Sequence, residues 1–87
     1  MIARKFIINN KTGIHLRVAS QIAGISKDFE SKIKICKDCK EANGCSIFDI
    51  LLLEAVKGSE IEVFICGKDE ERALCALSEF FENGSGI

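Results

Sequence analysis

The sequence predicts an α+β protein: a four-stranded antiparallel sheet covered on one face by three helices. Three observations lead there. The hydrophobic period switches along the chain in the order strand, helix, strand, strand, short helix, strand, helix. The clearest strand segments alternate apolar with polar side chains, which buries one sheet face and leaves the other wet. The chain has 87 residues, 47% of them hydrophobic and 29% charged, so residues 1–87 are expected to form one domain with little room for a second.

Residues 2–8 (Ile-Ala-Arg-Lys-Phe-Ile-Ile) are strand-like and end at Asn9-Asn10, which with Gly13 supplies turn residues. A helix over 16–27 follows, with Val18, Ala19, Ile22, Ala23 and Ile25 as its apolar stripe. In the strand over 31–36, Ile33 and Ile35 alternate with Ser31, Lys32 and Lys34. Lys37-Asp38 reads as a turn into a short strand near 39–43, and Asn43-Gly44 leads to Ser46, an N-cap for a short helix over 47–53. The Lys57-Gly58-Ser59 turn precedes the strand over 60–66, whose Ile61, Val63 and Ile65 share one side. Asp69 is placed to cap a final helix over 70–82 built on Ala73, Leu74, Leu77, Phe80 and Phe81, with Gly84 and Gly86 ending it.

Formal net charge is −1 and no block of like charges occurs, so bulk attraction to nucleic acid or to an anionic membrane is not expected. Met1-Ile2-Ala3-Arg4-Lys5 lacks the apolar stretch of a signal peptide, and no run is long enough to span a membrane, which predicts a cytoplasmic protein. The five cysteines Cys36, Cys39, Cys45, Cys66 and Cys75 are an odd number and read as reduced thiols. Cys36 and Cys39 have the CxxC spacing of metal ligands, with Cys45 a third candidate, but a structural zinc site takes four ligands and no metal is expected. Cys66 and Cys75 fall on apolar faces, where thiols behave as small buried hydrophobes.

The lone histidine carries the chemistry. His15 follows a glycine-containing turn and stands at or just before the first helix, with Arg17 two residues on. A helix start has amides without intrahelical partners and a positive dipole end, which favours an anion over an imidazolium and supplies donors to a phosphoryl group. Arg17 adds a planar fork of donors suited to phosphate oxygens. The plainer role for such a histidine is a helix cap or a surface residue. A hydrolase or oxidoreductase is not supported, since no second general acid or base has an evident place and no cofactor motif occurs.

The run Gly13-Ile14-His15-Leu16-Arg17-Val18-Ala19, followed downstream by Ser46-Ile47-Phe48, resembles the histidine-containing phosphocarrier (HPr) family of the bacterial phosphotransferase system. The similarity extends over essentially the whole chain, including the Lys57-Gly58 turn and the approach to the final helix from Gly67 to Glu71. It implies an open-faced β-sandwich that takes phosphate from phosphoenolpyruvate through enzyme I on His15 and passes it to an enzyme IIA, without cofactor and without turnover of its own. It also implies regulatory phosphorylation of Ser46 by HPr kinase/phosphorylase, linked to carbon catabolite regulation through a transcription factor. A short helix apolar nearly all round cannot bury every side: with Ile50 and Leu53 turned to the sheet, Ile47, Phe48 and Leu51 are left as a patch beside His15, and the resemblance implies that this surface, with Arg17, Ser20 and Lys27, docks donor and acceptor proteins.

The chain departs from the family at Val18, where proline is usual, at Cys45, where lysine is common, and at Asp49, where many members have a small or basic residue. Three functions therefore stand: a phosphocarrier on His15, a regulatory binding module acting through Ser46, and a thiol or metal protein built on Cys36, Cys39 and Cys45.

Overall fold

A computed structural model describes residues 1–9 and 13–82. The turn expected at 10–12 and the terminating glycines Gly84 and Gly86 lie outside the described residues. Seven elements run β1 (Ile2–Ile7), α1 (Leu16–Lys27), β2 (Lys32–Lys37), β3 (Lys40–Asn43), α2 (Ile47–Leu52), β4 (Glu60–Cys66) and α3 (Glu70–Glu82). Every expected element is present, and α1, β4 and α3 have the expected bounds. The β2–β3 turn is one residue later than expected: Lys37 pairs with Lys40, so Asp38-Cys39 forms the tip, with Asp38 at φ +54°. Asp is among the side chains that tolerate this left-handed backbone best.

The four strands form one sheet in the order β1-β4-β2-β3, every neighbouring pair antiparallel. β1 and β2 flank β4, so α1 crosses from one side of β4 to the other; α2 carries the chain from the edge strand β3 back to the centre. The register places Ile65 between Ile2 and Ile33, and Val63 between Arg4 and Ile35. These rows face the helices. Phe6, Ile33, Ile35, Ala42, Ile61, Val63 and Ile65 are buried there against Val18, Ala19, Ile22 and Ala23 of α1, Ile50 of α2, and Ala73, Leu77 and Phe81 of α3. Removing one methyl from the centre of this layer has a defined cost: Ile35→Val is expected to lower stability by about 1 kcal/mol. Thermal unfolding followed by circular dichroism should show the midpoint fall by roughly 4–8 °C.

The other sheet face carries Lys5, Glu62, Cys36 and Glu41 in one row and Ala3, Phe64, Lys34 and Asn43 in the next. Lys34 lies over the Phe64 ring at 6.0 Å and pairs with Glu41 at 3.3 Å. Among the described residues no helix covers this side, so the open-faced sandwich is the observed architecture. Two cysteines are corrected by it. Cys66 is exposed because even-numbered positions of β4 point to the uncovered face, and Cys75 is exposed on the outer side of α3. The apolar neighbours of both thiols in the chain belong to the opposite face of the same element.

Asp69 also acts differently from expectation. Its carbonyl accepts from Ala73 N at 2.9 Å, as an N-cap residue's should, but its carboxylate crosses to the loop after α1. There it accepts from the Glu30 and Ser31 amides, each at 2.9 Å, and from the Ser31 hydroxyl.

The loop after α2 holds one further unusual backbone. Glu54 sits at φ +53°, a region that costs an L-residue about 1–2 kcal/mol relative to glycine. Its ion pair with Lys40 is 3.8 Å long between side chains that are 76% and 54% exposed. A solvated pair of that kind returns about 0–1 kcal/mol and does not offset the strain.

Candidate functional site

The backbone before His15 is locked to the segment after α2. Gly13 is buried at φ +68°, and a Cβ added there would lie 2.5 Å from the Ala55 carbonyl oxygen and 2.7 Å from Val56 Cα. The same carbonyl accepts from the Ile14 amide at 2.8 Å, and Ile14 buries its side chain in the core. Only glycine permits this approach, and it aims the next residue at the end of α1.

His15 is the N-cap of α1, with extended backbone (φ −120°, ψ −176°) and its carbonyl accepting from Ala19 N at 2.8 Å. Its ring bends back over the first turn, where Nδ1 accepts from the Arg17 amide at 3.3 Å. Nδ1 is therefore the ring nitrogen that presents a lone pair to the helix end, and the ring hydrogen belongs to Nε2. Helix geometry leaves the Leu16 and Val18 amides without acceptors inside α1. Val18 thus supplies a donor that proline would lack, while its side chain is fully buried. The imidazole is half-buried and the Arg17 side chain is exposed. The plainer role expected for a lone histidine, a helix cap, is the one observed, and it leaves Nδ1 at the helix end.

Ser20 and Lys27 are exposed on α1, three and ten residues beyond Arg17 along the same helix. Ser46 is the N-cap of α2, as expected: its Oγ accepts from Asp49 N at 3.3 Å, and the Asp49 carboxylate in turn accepts from Asn43 N at 3.3 Å. Ile50 and Leu53 are buried, as expected. The exposed apolar side chains of α2 differ from those expected. Ile47 and Leu51 are partly buried against the core, whereas Phe48 is 77% exposed and Leu52 68% exposed. Phe48 and Leu52 are four residues apart and share the outer face of α2, while Leu51 falls on the flank. Leu16 and Val56, at 63% and 62% exposure, extend the apolar surface next to His15 and across the contact with Gly13.

Leu16, Leu52 and Val56 were absent from the sequence-based patch. The four-residue spacing of Phe48 and Leu52 was available as a signal, but nothing local marks Val56, which follows a left-handed residue out of the helix. Among the described residues, no group of three or more His, Cys, Asp and Glu side chains could hold a metal ion, so Cys36, Cys39 and Cys45 do not converge on one.

The chain is thus an open-faced sandwich whose single histidine caps its first helix, with Nδ1 toward amides that have no acceptor inside the helix. Comparison with known proteins places it in a class. A family model described as "PTS HPr component phosphorylation site" matches residues 2–83. The phosphocarrier protein HPr of Xylella fastidiosa (strain 9a5c) is 37% identical over 83 residues, covering 95% of this chain and 93% of that one. The crystal structure of HPr-C-His from Thermoanaerobacter tengcongensis superposes with a TM-score of 0.94 at 34% identity, covering 100% of this chain and 98% of that chain. Crh, the catabolite repression containing protein of Bacillus subtilis, superposes with a TM-score of 0.76 at 28% identity over the whole of both chains. The chain belongs to the HPr family of phosphocarriers of the phosphotransferase system. No helix among the described residues is long and apolar enough to cross a membrane.

Proposed function

We propose that this chain carries phosphate on Nδ1 of His15, taking it from phosphoenolpyruvate through enzyme I and handing it to an enzyme IIA in the cytoplasm. The observation that carries the reading is the hydrogen bond from the Arg17 amide to His15 Nδ1. In the transfer the Nδ1 lone pair forms the P–N bond as the bond between phosphorus and its donor breaks. The Arg17 amide then exchanges the ring nitrogen for a phosphoryl oxygen, beside the Leu16 and Val18 amides. Charge is spread over backbone donors and one solvated guanidinium, which stabilises the adduct moderately and leaves it transferable. The chain moves a group without turning over substrate alone. Arg17, Ser20 and Lys27 with Phe48, and the flanks of Ile47 and Leu51, form the docking face with both partners, to which Leu16, Leu52 and Val56 are added.

Incubation with enzyme I and labelled phosphoenolpyruvate is expected to give an acid-labile, base-stable adduct, absent in His15→Ala. Nitrogen-15 and phosphorus-31 NMR should place it on Nδ1. An adduct on Nε2, or labelling that survives His15→Ala, would refute the assignment.

A second reading is favoured by the Crh likeness: a regulatory module in which HPr kinase/phosphorylase phosphorylates Ser46 and a catabolite-control transcription factor binds the product. The half-buried Ser46 hydroxyl stands at a helix cap that tolerates added negative charge. In that reading Ser46→Ala abolishes binding of the factor and His15→Ala leaves it intact.

A further inference from the structure

Glu54 is the unexplained residue of the docking face. Its backbone is left-handed, where glycine would sit without strain, and its exposed ion pair with Lys40 is too solvated to account for a side chain at this position. Its neighbours in the chain are buried Leu53 and Ala55, and one residue further on either side stand the exposed Leu52 and Val56. The Ala55 carbonyl holds the Ile14 amide, and Val56 lies against Gly13, so the segment carrying the Glu54 carboxylate is the one that positions His15. Exposed cations thus stand on α1, at Arg17 and Lys27, and an exposed anion on the segment leaving α2, only loosely paired with Lys40 of β3, while Leu16, Phe48, Leu52 and Val56 are exposed apolar side chains.

We propose that Glu54 is a specificity-determining residue of phosphoryl transfer: it selects partner proteins that place a lysine or arginine against the Leu52–Val56 segment, and repels those with an acid there. A face with charges of both signs at fixed places specifies the orientation of its partner, because a rotated or wrongly charged surface meets like charges. The inference rests on the carrier reading and adds to it the chemistry of one partner contact.

The test measures initial rates of phosphoryl transfer from enzyme I and to enzyme IIA of the same organism, against carrier concentration, in low salt and in added salt. Glu54→Gln keeps shape and backbone and removes the charge. It is expected to raise KM with at least one of the two partners by about 3–10-fold at low salt, with kcat unchanged, and the difference should vanish as screening rises. Glu54→Gly should give the same KM change while raising the thermal midpoint, which separates charge from backbone strain. Lys40→Gln should not raise KM; an equal rise there would assign the effect to the intramolecular pair and overturn the proposal. So would KM values for Glu54→Gln within twofold of the parent for both partners. Should the parent chain take no phosphate from enzyme I, the carrier reading fails and this inference falls with it; successful labelling with unchanged KM overturns this inference alone.

Discussion

Gly13→Ala is expected to disable both the fold around His15 and the transfer reaction. The substitution forces an L-side chain into a left-handed backbone at φ +68° and sets its Cβ 2.5 Å from the Ala55 carbonyl oxygen and 2.7 Å from Val56 Cα. Both obstacles are main-chain atoms, and the carbonyl is already committed to the Ile14 amide at 2.8 Å, so neither can swing aside as a side-chain tip would. Backbone strain of about 1–2 kcal/mol and a steric cost of about 1–3 kcal/mol together predict a loss of about 3 kcal/mol. For a domain of this size the thermal midpoint should fall by roughly 12–24 °C. Relief requires the Gly13-Ile14 segment to move away from Ala55, which carries the imidazole off the end of α1. A displacement of about 1 Å at a reacting group is enough to cost on the order of 100-fold in rate. The two effects are read separately: thermal unfolding by circular dichroism, and initial labelling from enzyme I well below the variant's midpoint. A midpoint within a degree or two of the parent would show that the segment relaxes freely, and with it the geometric basis of the site would be lost.

Much of this was legible before the fold was known, for identifiable reasons. Periods of two and of three to four residues are local, so β4 with Ile61, Val63 and Ile65, and α3 with Ala73, Leu77 and Phe81, follow from the sequence by themselves. His15 was legible because turn, cap and arginine lie within five residues, and Ser46 because its cap bond spans only three. What escaped depends on distance along the chain or on rotation about an axis. Cys66 and Cys75 were assigned to the wrong side because their neighbours in sequence are apolar, although a strand or helix buries only one face. Ile47 and Leu51 looked like the patch because α2 is apolar nearly all round; its orientation is set by Ile50 and Leu53 entering the core, which leaves Phe48 and Leu52 outside. The Gly13–Ala55 contact and the crossing of Asp69 to Ser31 join residues about forty apart, and no periodicity reports them.

The family departures also acquire physical content. Val18 buries its side chain and contributes an amide, so a helix start without proline keeps its packing and gains a donor beside His15. Asp49 ties α2 back to Asn43 instead of projecting freely, which places a fixed carboxylate in the same turn as the Ser46 hydroxyl. Negative charge added at the Ser46 hydroxyl would meet the helix dipole favourably and the Asp49 carboxylate unfavourably.

The acid stability of the protein should depend on Asp69. Its carboxyl is held below the usual value of 3.8, first by the Ser31 hydroxyl and then by the Glu30 amide, with the Ser31 amide adding to them. Glu70 is lowered as well, first by the Gly67 amide and then by the chain's N-terminus. A carboxyl whose value is lower in the folded than in the unfolded state stabilises the fold when ionised. That contribution is complete above the unfolded value of about 4 and is lost as pH falls through the depressed folded value. The urea midpoint is therefore expected to be flat from neutrality down to about pH 5 and to drop below about pH 4. In Asp69→Asn one of the two terminal atoms becomes an NH2 group facing an amide of Glu30 or Ser31, donor against donor, at positions where the carboxylate now accepts at 2.9 Å. The approach is tight, since a Cβ on Gly67 would already lie 2.5 Å from Ser31 Oγ, so the loop cannot shift further toward the start of α3 to find other partners. The variant should show a lower midpoint at neutral pH and a shallower acid limb, the two curves converging as the parent's carboxylate becomes protonated. Parallel curves separated by a constant amount at every pH would mean that Asp69 acts through packing alone. None of its partners touches His15, so labelling from enzyme I at neutral pH and moderate temperature should proceed in the variant at the parent's rate.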